Sequence, residues 1–444
     1  QYRTRYFNEW EPMDLGKRMR FELKMNRQPW ETQPLLDAQT LVEMLSNRMN
    51  PEHPDFDERI AGLIRSIELR SPTEFIVTFE RVPSRLEAFF ASIYPADDLE
   101  ESSGGNGFRI VVSESDPDHT VFRRARAEPP GLKQYHLAEV VEHKYPSFDR
   151  VVQALMRGEI SMAPNLPDWH IRRLLADDQT KKDFFIQQYA VPTTHLVLFH
   201  PDSPAGKIRE LRRALSYSLE RDKILKEIIL RDPESAHGRL IESPFPRQSY
   251  GNSIQAKPLK YDLSSALAMS IAAGRSIDNK DPKVPKLRMV APPTLTERAA
   301  AMSMIRSWKK VGIDVELVPD DEGPQAKYDL IYQVGILPEP VVDWWPIVTL
   351  NRRANLSDLS KKPDWLRQQL IELDRTTDWG RVIAQTQDLH RRLSLDAAYL
   401  PLFEVDNFMV IRKNARGLST RPMHCYDAIE GWILDVWMPG EDSK

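Results

Sequence analysis

Apolar and polar positions alternate along Met19-Arg-Phe-Glu-Leu-Lys-Met25, which predicts a half-buried strand. Past the turn from Pro29 to Pro34, Asp37 is placed to cap a helix whose apolar positions Leu41, Met44 and Leu45 share a face. Ile67–Leu69 and Phe75–Phe79 predict a hairpin about Ser71-Pro72-Thr73. The small-residue stretch 102–107 marks a domain crossing before the apolar strand Phe108–Val112. Strand-like Ala138–His143, a helix over Ser147–Arg157 and the apolar run His195–His200 follow.

Residues 207–230 carry the strongest helical pattern, with Leu211, Leu215 and Leu219, then Ile224 and Ile228, at spacings of four. Two helices are expected there, the second capped by Asp222. Lys286–Val290, a helix over Thr296–Lys310 and Asp314–Val318 form a strand–helix–strand unit, with Gly312 at the helix C-terminus. A helix over Trp379–Leu393, with Val382, Thr386, Leu389 and Leu393 on one side, precedes apolar runs at Tyr399–Val405, Phe408–Ile411 and Trp432–Trp437. Strands alternating with helices imply sheets covered on their faces, an α/β fold.

Composition narrows the function. The 444 residues exceed one hydrophobic core and suggest two or three domains. Proline at 34 and glycine at 18 imply stiff connections. A net charge of −4 supplies no global field for nucleic acid or anionic lipid, so no nucleic-acid partner is expected. One cysteine, Cys425, rules out an internal disulfide and any multi-cysteine metal site. No window reaches the length of apolar sequence a membrane helix requires. The chain begins with Gln1, from which we expect a preceding signal, anchor or folded segment.

No phosphate-binding glycine loop, serine-hydrolase elbow or HExxH signature occurs, so nothing in the sequence argues for an enzyme or a cofactor. His136, Glu139, Glu142 and His143 are the densest set of metal-ligand types. On a strand Glu142 and His143 face opposite sides, so no metal site is expected. Asp177/Asp178 and Asp320/Asp321/Glu322 read as solvated loops, leaving a carboxylate-using hydrolase a distant reading.

Several segments, in order, resemble the solute-binding proteins that serve ABC importers of peptides, opines and nickel (extracytoplasmic family 5). Leu211-Arg-Arg-Ala-Leu-Ser-Tyr-Ser-Leu-Glu-Arg-Asp-Lys-Ile224 is similar to the family's R-x-A-L-x-x-A-I-D-R-x-x-I helix pair. Val152–Ile160 resembles its A-L-x-x-G-E-x-D, Gly104–Phe108 its G-T-G-P-F/Y, and Tyr261–Ala266 its Y-D-P-x-x-A helix start. Ser243–Pro246 and Gly312–Val315 fall in the same order.

The resemblance implies a periplasmic-binding-protein-like type II fold: two α/β lobes joined by a hinge, plus a smaller third subdomain. Mapped here, the small subdomain is 1–104, the first large lobe 105–195 with 411–444, and the second 196–410. Residue 1 corresponds to a point after the family's first segment, so early strands of the first lobe are expected to be absent from this chain. Closure over a ligand, monomeric state, an ABC permease as partner, a small-molecule or peptide ligand and a periplasmic or extracytoplasmic location, membrane-anchored through a preceding segment, are implied likewise. A sensor or adaptor without an import role is the alternative.

Many peptide-binding members place an aspartate after the strand matching Tyr328–Val334, to pair with the peptide amino terminus. Here Gly335-Ile-Leu-Pro-Glu339 leaves only Glu339 for that charge. We read Glu339 and the following Asp343-Trp344-Trp345 as a loop that could pair with a ligand ammonium and stack on an indole; packing of both tryptophans between lobes is the other reading. Arg352 and Arg353 are candidates for a ligand carboxylate, or a solvated basic pair. His200, where the chain is expected to enter the second lobe, could donate to a ligand carbonyl or be an interlobe histidine. Tyr332 and Gln333 lie on the strand leading to the site, where half the side chains face away.

Overall fold

The computed structural model describes residues 7–23, 37–82, 86, 108–124, 137–257, 259–280, 282–319, 327–351, 356–427, 429 and 432–435. The chain divides into two units: unit 1 comprises Gln1–Ala190 and Asn407–Lys444, unit 2 Val191–Asp406. The chain passes between them twice, at 190/191 and 406/407.

Unit 1 begins with β1 (Phe7–Met13), β2 (Arg18–Leu23), β3 (Ile64–Ser71) and β4 (Glu74–Phe79), an antiparallel sheet of order β1-β2-β4-β3. Phe7, Phe21 and Phe75 meet on one face, with Phe21 and Phe75 stacked at 5.0 Å. Helix α1 (Ala38–Met49) starts where Asp37 accepts the Thr40 amide at 2.7 Å, and α2 (Glu58–Leu63) leads into β3. Strands β5 (Phe108–Ile110), β6 (His119–Arg124) and β7 (Glu139–His143) form a second sheet.

Helix α3 (Phe148–Arg157) has Ser147 as its cap and ends at Gly158, whose φ of +80° suits a residue without a Cβ. Then come β8 (Met162–Pro164), α4 (Asp168–Ala176), α5 (Asp178–Asp183) and β9 (Phe184–Gln188). The predicted crossing at 102–107, the turn at 29–34, His136 and the acidic run 320–322 lie outside the described residues.

Unit 2 opens with β10 (Thr193–Phe199) and α6 (Arg209–Tyr217). The second predicted helix is only a turn at Arg221–Lys223 that widens into a π-helical segment, Ile224–Ile229. Asp222 does not cap it, because its cap position is Glu220 and no side chain closes that end. Next are β11 (Gly238–Leu240), α7 (Leu263–Ile277), β12 (Leu287–Val290), α8 (Leu295–Lys309), β13 (Val315–Leu317) and β14 (Leu330–Gly335). Helices α9 (Pro340–Thr349), α10 (Asp364–Arg375) and α11 (Trp379–Leu395) precede β15 (Tyr399–Val405).

The six strands of unit 2 form one mixed sheet in the order β11-β15-β10-β14-β12-β13, with β12 parallel to β13 and β14. One face of it, including Val197, Met289, Tyr332 and Leu402, packs into a continuous core with Leu211 and Leu215 of α6, Ala273 of α7 and Trp308 of α8. Leu196 and Leu198, pointing the other way along β10, are also buried, so the sheet is covered on both faces. The Trp308 indole donates to the Leu215 carbonyl at 2.9 Å, which satisfies its one polar atom inside that core.

The chain returns to unit 1 with β16 (Phe408–Arg412), between β8 and β9, and with the pair β17 (Ala415–Arg416) and β18 (Ile433–Leu434). Val410, Ala163 and Phe184 join Leu155, Ile171 and Leu174 in a compact core. A smaller one gathers Ile411, Ala415, Ile429 and Trp432.

Candidate functional site

Both chain crossings lie at one end of unit 2's sheet, because Thr193 at the start of β10 pairs with Val405 at the end of β15. Thr194 pairs with Gly335 at the end of β14, and Gly238 at the start of β11 with Val405. Residues leaving β14 and β15 and entering β10 and β11 therefore share this crossing end. Loops at strand ends are where an open sheet offers ligand-binding groups.

Gln333 and Tyr332 are neighbours on β14 and so face opposite ways. Tyr332 is 2% exposed and belongs to the core; its hydroxyl lies 2.7 Å from His195 Nδ1. Tyr332 is thus no ligand contact but one half of a buried polar pair. Burial holds the His195 imidazole down to about 3, hence neutral, and pushes the Tyr332 phenol well up, with Glu297 adding to that rise. Gln333 is half-buried, and its amide makes no hydrogen bond among the described residues.

The segment read as a loop after Glu339 is helix α9. Pro340 sits at its first position, where the missing amide costs nothing and φ is preset. Asp343 accepts the Glu339 amide at 2.8 Å and closes the first turn. Helical geometry turns the tryptophans inward: Trp344 is fully buried, edge-on to Phe245 at 4.7 Å and 6.1 Å from Tyr399, and Trp345 is 2% exposed. Neither indole offers a free face for a ligand cation, so both tryptophans are packing residues of unit 2.

Glu339 is 6% exposed, and its carboxylate accepts a hydrogen bond from the Tyr250 hydroxyl. The same hydroxyl accepts the Val341 amide at 3.2 Å. The Tyr250 carbonyl takes a bond from Gln387 Nε2 at 3.1 Å, and its ring stands edge-on to Trp379 at 4.8 Å. At Gly251 a Cβ would lie 2.8 Å from Pro340, so the 249–253 loop needs glycine to approach α9 this closely. Glu339 is therefore a bonded carboxylate within unit 2, with Tyr250 already on it.

His200 stands at the other end of β10 from the crossings, since the chain enters unit 2 at Val191. Its Nδ1 accepts the Asp202 amide at 3.3 Å, and its ring is edge-on to Tyr328 at 5.3 Å. Placing the entry point at the end of the apolar run, and not at its start, put this histidine at the wrong end of the strand. Arg352 and Arg353 lie outside the described residues.

Sequence reasoning missed the charged cluster at the crossing end. Arg239 Nε bonds Glu404 Oε1 at 2.7 Å, and its terminal nitrogens grip Asp406 at 2.8 and 3.3 Å. The second Glu404 oxygen accepts the Arg247 amide at 2.9 Å. Both acids are buried. Partial burial pulls the Arg239 pKa down, but the hydrogen bonds to Asp406 and Glu404 outweigh it, so the pKa is raised. The signal was present: two carboxylates inside the apolar run 399–411 must be paired if that run is a core strand. Among the described residues no group of three or more His, Cys, Asp or Glu could hold a metal ion, and no helix is long and apolar enough to cross a membrane.

The crossing end thus carries an internally paired charge cluster and, at Gln333, one amide without a hydrogen bond among the described residues. The same fold occurs in solved periplasmic binding proteins. The structure of the ABC transporter-associated periplasmic binding protein DppA from Helicobacter pylori, in complex with the peptide STSA, superposes with a TM-score of 0.75 at 16% identity, covering 97% of this chain and 88% of that one. The oligopeptide-binding protein AppA from Bacillus subtilis, with a nonapeptide, gives 0.75 at 15% identity over 97% and 90%. AgaA from A. tumefaciens R10, with agropinic acid, gives 0.74 at 14% over 98% and 90%. No curated protein matches the sequence. The fold is that of the periplasmic binding proteins. The family model "Bacterial extracellular solute-binding proteins, family 5 Middle" matches residues 66–348, and the chain belongs to this family.

Proposed function

We propose that this chain is the solute-capturing component of an ABC importer, taking up a peptide or another polar organic solute outside the cytoplasmic membrane and presenting it to a permease. The carrying observation is the family match across 66–348, which extends through both units. Relatives of the same fold hold a tetrapeptide, a nonapeptide, agropinic acid or nickel with histidine, so the fold by itself leaves the solute class open. Gln333 brings an uncommitted amide to the crossing end, which suits a polar solute; Arg352 and Arg353, outside the described residues, remain proposed holders of a ligand carboxylate. An ammonium at Glu339 would compete with the Tyr250 hydroxyl, which the carboxylate already accepts. In this reading the protein acts as a monomer and changes no bond of its solute.

The test is native mass spectrometry and calorimetry of the chain against a peptide library and a metabolite panel. A single saturable solute, recovered chemically unchanged and raising stability by about 2.7 kcal/mol at a hundredfold excess over Kd, supports the reading. Turnover of the bound molecule, or no binder in either panel, contradicts it.

A further inference from the structure

At the Leu240 end of β11, unit 2 carries a cavity of ≈ 540 Å³ lined by Leu219, Arg221, Leu240, Ile241, Lys260 and Tyr261. Its size falls within the range of about 300–1,000 Å³ usual for small-molecule sites. Arg221 is 8% exposed, and its guanidinium donates to the carbonyls of Ile241 at 3.2 Å, Pro401 at 2.7 Å and Leu259 at 3.5 Å. It makes no ion pair among the described residues. Burial draws its pKa below the ordinary arginine value, with Glu242 offsetting part of that fall. A buried cation bonded to neutral carbonyls, with Glu242 acting on it but forming no ion pair, is costly, and a ligand anion in the adjoining space lowers that cost further. Lys223 and Lys260 add exposed positive charge to the lining. Of the three acids there, Asp222 is engaged by Lys226 at 3.2 Å, leaving Glu220 and Glu242, which disfavour a multiply charged anion.

We propose that this cavity binds a small monocarboxylate with an apolar body, the carboxylate directed to Arg221 and Lys260 and the body against Leu219, Leu240 and Tyr261. Leu240 follows Arg239 of the crossing-end cluster on β11 and so faces the other way; the proposal does not rest on the importer reading.

The probe is 3-phenylpropionate, titrated into the full chain by saturation-transfer NMR and calorimetry, with phenethylamine as the same body lacking the carboxylate. Leu240 and Lys260 are exposed, so Leu240→Asp and Lys260→Glu spare the core, and thermal unfolding verifies the fold of each. The expected result is saturable binding of phenylpropionate but not phenethylamine, weakened about tenfold or more by either substitution and unchanged in Gln333→Ala. Absence of saturation, equal binding of the amine, indifference to Lys260→Glu, or loss in Gln333→Ala would each overturn the assignment.

Discussion

Unit 2 gathers six strands into one sheet with a continuous core, whereas the described part of unit 1 spreads its strands over four separate sheets with small local cores. Trp308, Met304 and Leu215 of unit 2 sit in the same cluster as Val197 and Tyr332. Leu155 and Ile171 of unit 1 share theirs with few neighbours, and Trp432 belongs to another. The difference teaches where polar groups are held rigidly. The crossing-end charges of unit 2 are anchored to a single body, so their geometry is set by one core, and damage to that core should reach them all.

The largest expected effect tests that unity. Trp308→Ala removes a fully buried indole and should cost about 3–5 kcal/mol in urea unfolding, lowering unit 2's transition while leaving that of unit 1 in place. A shift of both transitions together would break the contrast. Arg239→Met strands Glu404 and Asp406 as buried acids; because the arginine itself is over a third exposed, about 3 kcal/mol, the low end for such a loss, is expected in the same measurement.

The buried His195 sharpens the contrast through pH. Its folded pKa, about 3, lies below the ordinary value of 6.5, so the unfolded chain takes up the proton first. Unit 2 stability should be complete above pH 6.5 and fall by up to about 1.4 kcal/mol per pH unit between there and 3. Denaturation series at stepped pH on wild type and His195→Gln should show that slope flattened in the variant. Tyr250→Phe removes the hydroxyl from a buried carboxylate and should cost about 1–3 kcal/mol.

In unit 1 the smallest effect is local. Asp37→Ala deletes the α1 cap, at about 1 kcal/mol. The Thr40 amide, then its hydroxyl, hold the Asp37 carboxyl below its usual range. Its contribution is therefore present above about pH 3.8 and vanishes as pH falls through the lower folded value, which an acid titration of helicity would record.

Much of this fold was readable because period and cap agreed. Asp37 capping α1, the β3–β4 hairpin, the β12–α8–β13 unit and the buried stripe of Val382, Thr386, Leu389 and Leu393 each follow from local pattern and end signals. The Gly312 φ of +77° was likewise legible as a helix terminus. Helix α9 was not, because its two prolines and paired tryptophans carry no clean apolar period, although Pro340 suits a first turn. The site was less legible for a plain reason. Arg239 meets Glu404 and Asp406 across more than 160 residues, and Tyr250 meets Glu339 across 89, separations that no local pattern encodes.

The central claim is that this polypeptide holds a solute without transforming it. Calorimetric titration of the solute found by library screening, with product analysis of the same samples, tests it most directly. The account predicts saturable binding of that solute, weakened by Gln333→Ala, with the solute recovered intact. A binding curve without saturation, or a solute returned as a different compound, would contradict it.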